Sequence, residues 1–170
     1  MDRIGSAGGE HEGTDGITNI VLTVGQHAIN YDFCEHTPGS ISGRVVANKG
    51  ADCDFENPDG VIAGVKIDLL DAQGNLLATT TTGADGTYRF DGLGPGEYQV
   101  FEHQPEDYYD GGERIGTAGG ERVANDRVGK IALGHSQHAV NYDFCEHIGV
   151  NLSGWVYHDR SNDGSFDRPS

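Results

Sequence analysis

The sequence has no long apolar run and few basic residues. No stretch approaches the roughly 18 consecutive apolar residues of a membrane-spanning helix, and the opening segment, MDRIGSAGGEHEG, lacks the apolar centre of a secretion signal. Only 11 Lys and Arg residues stand against 27 Asp and Glu, which gives a formal net charge of -16. Such a chain repels nucleic acid and anionic lipid and attracts cations. We therefore expect no nucleic-acid partner and no membrane insertion.

Recognised catalytic motifs are also missing from the sequence. It contains no GxSxG nucleophile turn, no HExxH zinc motif and no glycine-rich phosphate loop. Acids, serines and histidines are plentiful, but they do not occur in a catalytic spacing. We therefore expect a protein that is not an enzyme.

The residues that are present favour β-structure. Only 35% of the 170 residues are hydrophobic, 27 are glycine, and the apolar residues alternate with polar ones in short runs. Period-two alternation between turn signals is typical of strands with one buried face. A chain of this length holds one full domain with extra material, or two small domains.

An internal repeat defines the organisation. RIGSAGGE at residue 3 returns as RIGTAGGE at residue 114, and QHAINYDFCEH at 26 returns as QHAVNYDFCEH at 137, an offset of 111 in both cases. A period of this size corresponds to a whole domain rather than to a solenoid unit. We expect residues 1–37 to be the C-terminal part of a preceding repeat, 38–148 a complete repeat, and 149–170 the N-terminal part of a following one. The parent protein would then be a tandem array.

Seven strands are predicted within the complete repeat, and residues 104–125 are predicted to form a long surface connection. Alternation places three groups of residues in the core: Val65, Ile67 and Leu69; Tyr88 and Phe90; and Val140, Tyr142 and Phe144. The predicted strands are 40–47, 64–70, 76–82, 87–91, 96–103, 128–133 and 137–145.

The order of these signals resembles a known family. An SGxV opening strand, an acidic loop, the run TTTGADGTYRFDGLGPGEYQV and the closing NYDFCEH are similar to the SdrD B-like repeats of surface adhesins. These repeats belong with the collagen-adhesin B-type domains. The resemblance implies an all-β, seven-stranded, immunoglobulin-like (prealbumin-like) sandwich in an extracellular, cell-surface protein. It also implies a calcium-stiffened spacer whose partners are the neighbouring repeats.

Two acidic loops have the spacing of a calcium site. In the twelve-residue calcium loop, oxygens come from positions 1, 3, 5, 7, 9 and 12, and glycine at position 6 allows the turn. The tail matches this pattern with Asp159, Ser161, Asp163, Ser165 and Asp167, and Gly164 stands at the turn. Position 12 would be Ser170, where an acid is expected, so this copy is incomplete.

The same loop lies 111 residues earlier, where Asn48, Asp52, Asp54, Glu56 and Asp59 provide the oxygens. This copy is degenerate, because position 3 is a glycine and Cys53 replaces the turn glycine. It does have the closing acid that the tail lacks. We expect it to bind Ca²⁺; the alternative is an acidic turn without a ligand.

The cysteine count is odd. If the first and last strands run parallel and adjacent, as the family resemblance implies, Cys145 can reach Cys53. A disulfide there would close a loop of about 90 residues and stabilise the fold by up to roughly 4 to 5 kcal/mol. The alternative is a set of unpaired thiols, and Cys34 has no evident mate. Cys145 and His147 share a strand face, but two ligands do not make a zinc site.

Related B-type domains often carry a Lys–Asn isopeptide bond assisted by an acid. Glu102 stands where such an acid could be, but the opening strand ISGRVVAN has no inward lysine. We therefore expect no isopeptide bond.

An adhesin module that binds a glycan or protein ligand is the alternative to a spacer. PEDYYDGG, with Tyr108 and Tyr109 on an acidic segment, is the candidate recognition patch, because loops on rigid scaffolds often bind ligands. Glycan-array binding that is lost in Tyr109→Ala would favour this interpretation.

The partial repeats would each have an apolar face and no complete core. In the head these residues are Ile17, Val21 and Ile29, and in the tail they are Leu152, Val156 and Tyr157. They must pack on the central domain, pair with another molecule or stay disordered. We expect weak head-to-tail self-association.

Overall fold

The computed structural model describes residues 2–13, 15–50, 52–149, 152–154, 156, 159, 162 and 164. All regular structure in these residues is β, as expected from the sequence. None of them belongs to a helix with the length and hydrophobicity that a membrane span requires.

The described part of the chain contains thirteen strands, numbered in chain order, and eleven of them lie in the central repeat. Their bounds are β1 Glu10–Glu12, β2 Gly16–Thr18, β3 Gly39–Asn48, β4 Gly60–Val61, β5 Lys66–Asp71, β6 Leu76–Thr81, β7 Thr87–Leu93, β8 Gly96–Glu102, β9 Tyr108–Arg114, β10 Glu121–Ala124, β11 Arg127–Leu133, β12 His138–Ala139 and β13 Asp143–Ile148.

The central repeat is a sandwich of two sheets. One sheet has the order β10-β11-β8-β5-β6, and all its pairs are antiparallel. The other has the order β12-β3-β13-β9, with β4 and β7 also pairing with β3. The first and last strands, β3 and β13, run parallel and adjacent, with Phe144 opposite Val45 and His147 opposite Asn48. This is the immunoglobulin-like B-type arrangement that the resemblance implied.

The core lies between the sheets and is built from alternate residues of the strands. Val65, Ile67 and Leu69 are buried, as the alternation predicted. So are four predicted aromatic residues, and the Tyr88 hydroxyl donates a 2.6 Å hydrogen bond to the Tyr142 carbonyl, which satisfies one polar group inside the core. The buried predicted aromatic residues are Tyr88, Phe90, Tyr142 and Phe144.

Two sequence predictions about the second half of the repeat are wrong. Residues 104–125 are not a plain connection, because they contain β9 and β10. The predicted strand 137–145 is interrupted between β12 and β13, where Asn141 has a φ of 67°. This left-handed residue shifts the alternation, so Ala139 is fully buried while Val140 is only half-buried.

The head fragment repeats the local geometry of the central domain at the same offset of 111. The φ angles of Gly8 and Gly9 are 72° and 130°, and those of Gly119 and Gly120 are the same. Unlike the central copy, the head leaves its apolar side chains in solvent: Leu22 is 55% exposed, whereas its equivalent, Leu133, is 3% exposed. The head therefore has the local fold of a repeat without its core.

Candidate calcium loop, its anchors and a buried acidic cluster

The predicted calcium loop of the central repeat follows β3 directly. Asp59 closes its base, since its Oδ2 accepts the backbone N–H of Lys49 at 2.8 Å. Asp54 organises its middle: Oδ1 accepts the N–H groups of Glu56 at 2.9 Å and Asn57 at 3.0 Å. These bonds, with that from Asn57 the largest cause, lower the pKa of Asp54, which favours an ionised carboxylate in the loop.

The environment of Asn48 is the feature of this loop that fits a bound cation. It is buried, and its Nδ2 donates to the Asp52 carbonyl at 3.0 Å. Its Oδ1 is also buried and accepts no hydrogen bond. A buried amide oxygen without a partner is costly, and amide oxygens are ligands that calcium accepts. No three carboxylates of the loop converge on one point among the described residues, so Asn48 is the part of the loop that most needs a ligand.

Two arginines fasten the loop to the sheet beneath it. Asp143, at the start of β13, is buried, and its Oδ1 accepts the Arg44 N–H at 3.0 Å. Arg114 of β9 bonds to Asp143 and also to Glu56 in the loop, and its guanidinium lies 5.2 Å from the centre of the Phe55 ring. The Arg44 side chain donates to the Phe55 carbonyl. The loop is thus held by side chains from the first, last and edge strands of one sheet.

A disulfide between Cys53 and Cys145 adds a covalent anchor. Their Cα atoms lie 5.9 Å apart, and the bond joins the calcium loop to β13 across 92 residues of chain. Cys34, the equivalent of Cys145 in the head, is a free and exposed thiol.

The tail loop lies mostly outside the described residues. Of its predicted ligands, only Asp159 is described, and its Oδ2 accepts the N–H of Gly164 at 2.8 Å. Ser161, Asp163, Ser165 and Asp167 fall outside the described residues, and so does Tyr157, so the tail site stays a prediction.

A second group of acids, not anticipated as a site from the sequence, lies inside the domain. Glu102 at the end of β8, Asp126 in the β10–β11 turn and Glu146 of β13 bring carboxylate oxygens within 4.8 Å of one another. Asp126 also belongs to a second such group, with Asp110 and Glu113 of β9. We call these five residues the acidic cluster.

The polar atoms of the acidic cluster are poorly satisfied. Glu102 is fully buried, and neither of its carboxylate oxygens has a hydrogen-bond partner. Glu146 is also fully buried; one oxygen accepts from Gln104, and the other has no partner. Arg122 forms an ion pair with the cluster, and its Nε lies 3.3 Å from Oε2 of Glu113.

Burial and mutual repulsion make the ionised state of the cluster unfavourable. Burial raises the pKa of Glu102 to about 10, and the charges of Glu146 and Asp126 add to the effect. Burial is likewise the main cause that raises the pKa of Glu146 to about 7 and that of Asp126 to about 6. The fold therefore needs either protons or an added cation at this place.

The family follows from comparison with known proteins. The SdrD B-like domain model matches residues 39–143, which is more than half of the chain. The chain belongs to the SdrD B-like domain family. This is a family of structural repeat domains of surface proteins rather than of enzymes, in agreement with the extracellular, cell-surface location expected from the sequence.

Curated relatives of this SdrD B-like domain are much longer than the chain itself. Serine-aspartate repeat-containing protein D of Staphylococcus aureus (strain Newman) is 29% identical over 161 residues, covering 91% of this chain and 12% of the relative. Serine-aspartate repeat-containing protein I of Staphylococcus saprophyticus is 34% identical over 98 residues, covering 54% of this chain and 5% of the relative. Among solved structures, the minor pilin GBS52 of Streptococcus agalactiae is 12% identical with a TM-score of 0.47, covering 89% of this chain and 60% of that one.

The two tyrosines of the candidate recognition patch differ in environment. Tyr108 is half-buried and packs against the core, whereas Tyr109 is 64% exposed on the edge strand β9. Ligand binding by this SdrD B-like domain stays a prediction, and it rests on Tyr109.

Sequence patterns contain a signal for the acidic cluster, although it is easily overlooked. Glu102 lies two residues after Val100, and Glu146 two residues after Phe144, so both acids occupy core-facing positions of their strands. Acidic residues are almost never fully buried unless they are paired, so an acid at a core-facing position indicates a partner or a ligand. Asp110 and Glu113 carry no such periodic signal, because they lie in the segment 104–125 that was predicted as a surface connection, and Asp126 directly follows it.

Proposed function

We propose that this domain is a calcium-stabilised structural spacer in a tandem-repeat, extracellular protein, with neighbouring repeats of the array as its partners. The observation that supports it most directly is the parallel pairing of β3 with β13. Because the two strands run in the same direction, the chain enters beside the start of β3 and leaves beside its end. Entry and exit then lie at opposite ends of the sandwich, so each repeat adds its length to the array.

The same pairing suits a domain that carries tension. A pull on the two ends of the repeat draws β3 and β13 in opposite directions along their common ladder. The hydrogen bonds of that ladder are then loaded together rather than one after another. Forced unfolding is governed by the rate of unfolding, so a ladder in shear resists a pull better than one that opens stepwise.

Calcium would stiffen the exit end of the sandwich. Asn48, Asp52, Asp54, Glu56 and Asp59 would hold the ion in the central repeat, with the unpartnered Oδ1 of Asn48 as a ligand. The ion would supply positive charge that offsets repulsion among the loop carboxylates and joins the end of β3 to the loop. Asp159, Ser161, Asp163, Ser165 and Asp167 would act in the same way in the following repeat.

Thermal unfolding of the chelator-treated chain, with and without millimolar calcium, tests the proposal. At about ten times the dissociation constant, binding adds about 1.4 kcal/mol to stability, so the melting temperature should rise by several degrees. Magnesium should do much less, because it dehydrates reluctantly and requires a near-ideal octahedral site. The variant Asp54→Asn should lose part of the gain, whereas Asp91→Asn, at an exposed ion pair, should keep it. Identical melting curves in calcium and in chelator would refute calcium stabilisation.

A further inference from the structure

The acidic cluster has the features of a built cation site that is separate from the predicted loop. Its acids come from β8, β9, the β10–β11 turn and β13, whereas the loop ligands follow β3. The two groups share no residue. Glu102 is fully buried and contributes a carboxylate oxygen to the cluster, and neither of its two oxygens has a hydrogen-bond partner, which an acidic surface patch would not show.

We propose that the acidic cluster binds a calcium ion, held by Glu102, Asp126 and Glu146, with Asp110 and Glu113 next to it through Asp126. Every donor in the two groups is a carboxylate oxygen, and no histidine or cysteine of the described residues joins them. A set of oxygens alone selects a hard cation such as calcium over zinc or copper. Asp126 belongs to both groups, so it connects Glu102 and Glu146 to Asp110 and Glu113.

The charge balance supports a divalent ion. Among the described residues, these five carboxylates have an ion pair with one guanidinium, that of Arg122, whose side chain is more than half exposed. Isolated carboxylates in a buried site are strongly disfavoured, and ion coordination is one of the few ways to keep them there. The competing explanation is a proton shared between Glu102 and Glu146, which would satisfy the pair without any metal.

The cluster also lies between the two sheets, where a bound cation would stabilise the whole sandwich. Glu102 belongs to one sheet of the sandwich and Glu146 to the other. An ion between them would connect the two sheets directly. Glu146 follows Cys145, so the same strand bears both the disulfide and the proposed ligand.

Counting bound calcium by equilibrium dialysis of the whole chain separates these explanations. The variant Glu102→Gln preserves size and replaces the carboxylate by an amide, and we expect it to bind one calcium ion fewer than the native chain. In chelator it should melt at the same or a higher temperature, because an amide does not have to take up a proton to be buried, and its gain on adding calcium should be smaller. Glu97→Gln, an exposed change on the same strand, is the matched control and should bind as the native chain does.

Asp54→Asn distinguishes this site from the calcium loop. Loss of one ion in Asp54→Asn but none in Glu102→Gln or Glu146→Gln would overturn the cluster proposal and leave the loop proposal standing. Loss of one ion in the two glutamate variants but none in Asp54→Asn would support the cluster site and overturn the loop site. Glu146→Gln provides the same measurement if Glu102→Gln does not fold. A native chain that takes up no calcium refutes both sites and favours the shared proton.

Discussion

At the scale of single residues, two equivalent tyrosines show what the core adds to a local structure. The Tyr142 hydroxyl donates to the Gly119 carbonyl at 2.8 Å and accepts the Ala118 N–H at 3.2 Å. In the head, the Tyr31 hydroxyl makes the same two bonds, at 2.7 Å to the Gly8 carbonyl and 3.2 Å from the Ala7 N–H. Tyr142 is buried in a complete sandwich, whereas Tyr31 is only half-buried in a fragment.

We therefore expect different effects from the same substitution at the two sites. Tyr142→Phe should lower the free energy of unfolding of the central domain by about 1 kcal/mol, because two backbone groups lose their partner. Tyr31→Phe breaks the same bonds outside that domain and should leave its transition unchanged. Urea unfolding of both variants measures the difference, and equal losses would contradict it.

At the scale of strands and loops, the disulfide decides how much of the domain can be extended. Cys53 lies just beyond the end of β3 and Cys145 lies in β13, so the bond encloses almost all of the remaining strands. A pull on the ends can draw out only the residues outside this covalent ring. The ring closes 92 residues of chain whose ends are 5.9 Å apart.

Single-molecule extension should therefore depend on the redox state. An extended residue spans at most about 3.3 to 3.6 Å, so reduction should lengthen the unfolding step by about 300 Å. The oxidised chain should also contain one reactive thiol, Cys34. Equal step lengths with and without reductant, or three titratable thiols in denaturant without reductant, would contradict the pairing. The double variant Cys53→Ser/Cys145→Ser should give the long step in both conditions.

The strands also show how far the sequence could predict this fold. All seven predicted strand positions contain strands, because alternation of apolar and polar residues is a direct consequence of one-sided burial. β9 was missed because its residues, YYDGGER, are rich in Gly, Asp and Glu, which disfavour strands in general. It forms because β13 offers it an open edge. The positions of Asp110 and Glu113 in the acidic cluster depend on that pairing, so they could not be predicted from local patterns.

At the scale of the whole molecule, a complete sandwich is flanked by terminal segments whose sequences repeat parts of it. The head exposes apolar residues whose equivalents are buried in the central domain: Phe33 is 51% exposed, and its equivalent, Phe144, is 1% exposed. In the tail, Leu152 and Val156 are fully exposed. A closing strand lies beside an opening strand in the central domain, so we expect the head of one molecule to pair with the tail of another.

We expect weak, concentration-dependent association between head and tail. Sedimentation over a hundredfold concentration range should show a rising average mass, since a junction without middle strands buries too little area for a permanent oligomer. The head variant Leu22→Ser/Phe33→Ser should abolish the rise. Leu76→Ser, at an exposed leucine of the central domain, should not. A strict monomer at every concentration would show that the ends are inert.

The covalent ring also affects what a protease can do to such an array. A cut in any loop between Cys53 and Cys145 opens the backbone, but the disulfide still connects the residues before the ring to those after it. The two pieces of the domain stay attached to each other and to their neighbours. The following repeat has Gly164 at the position of Cys53, so a cut inside it would meet no such ring. In an array, this domain would therefore tolerate cuts in its loops without separating the parts of the protein on either side of it.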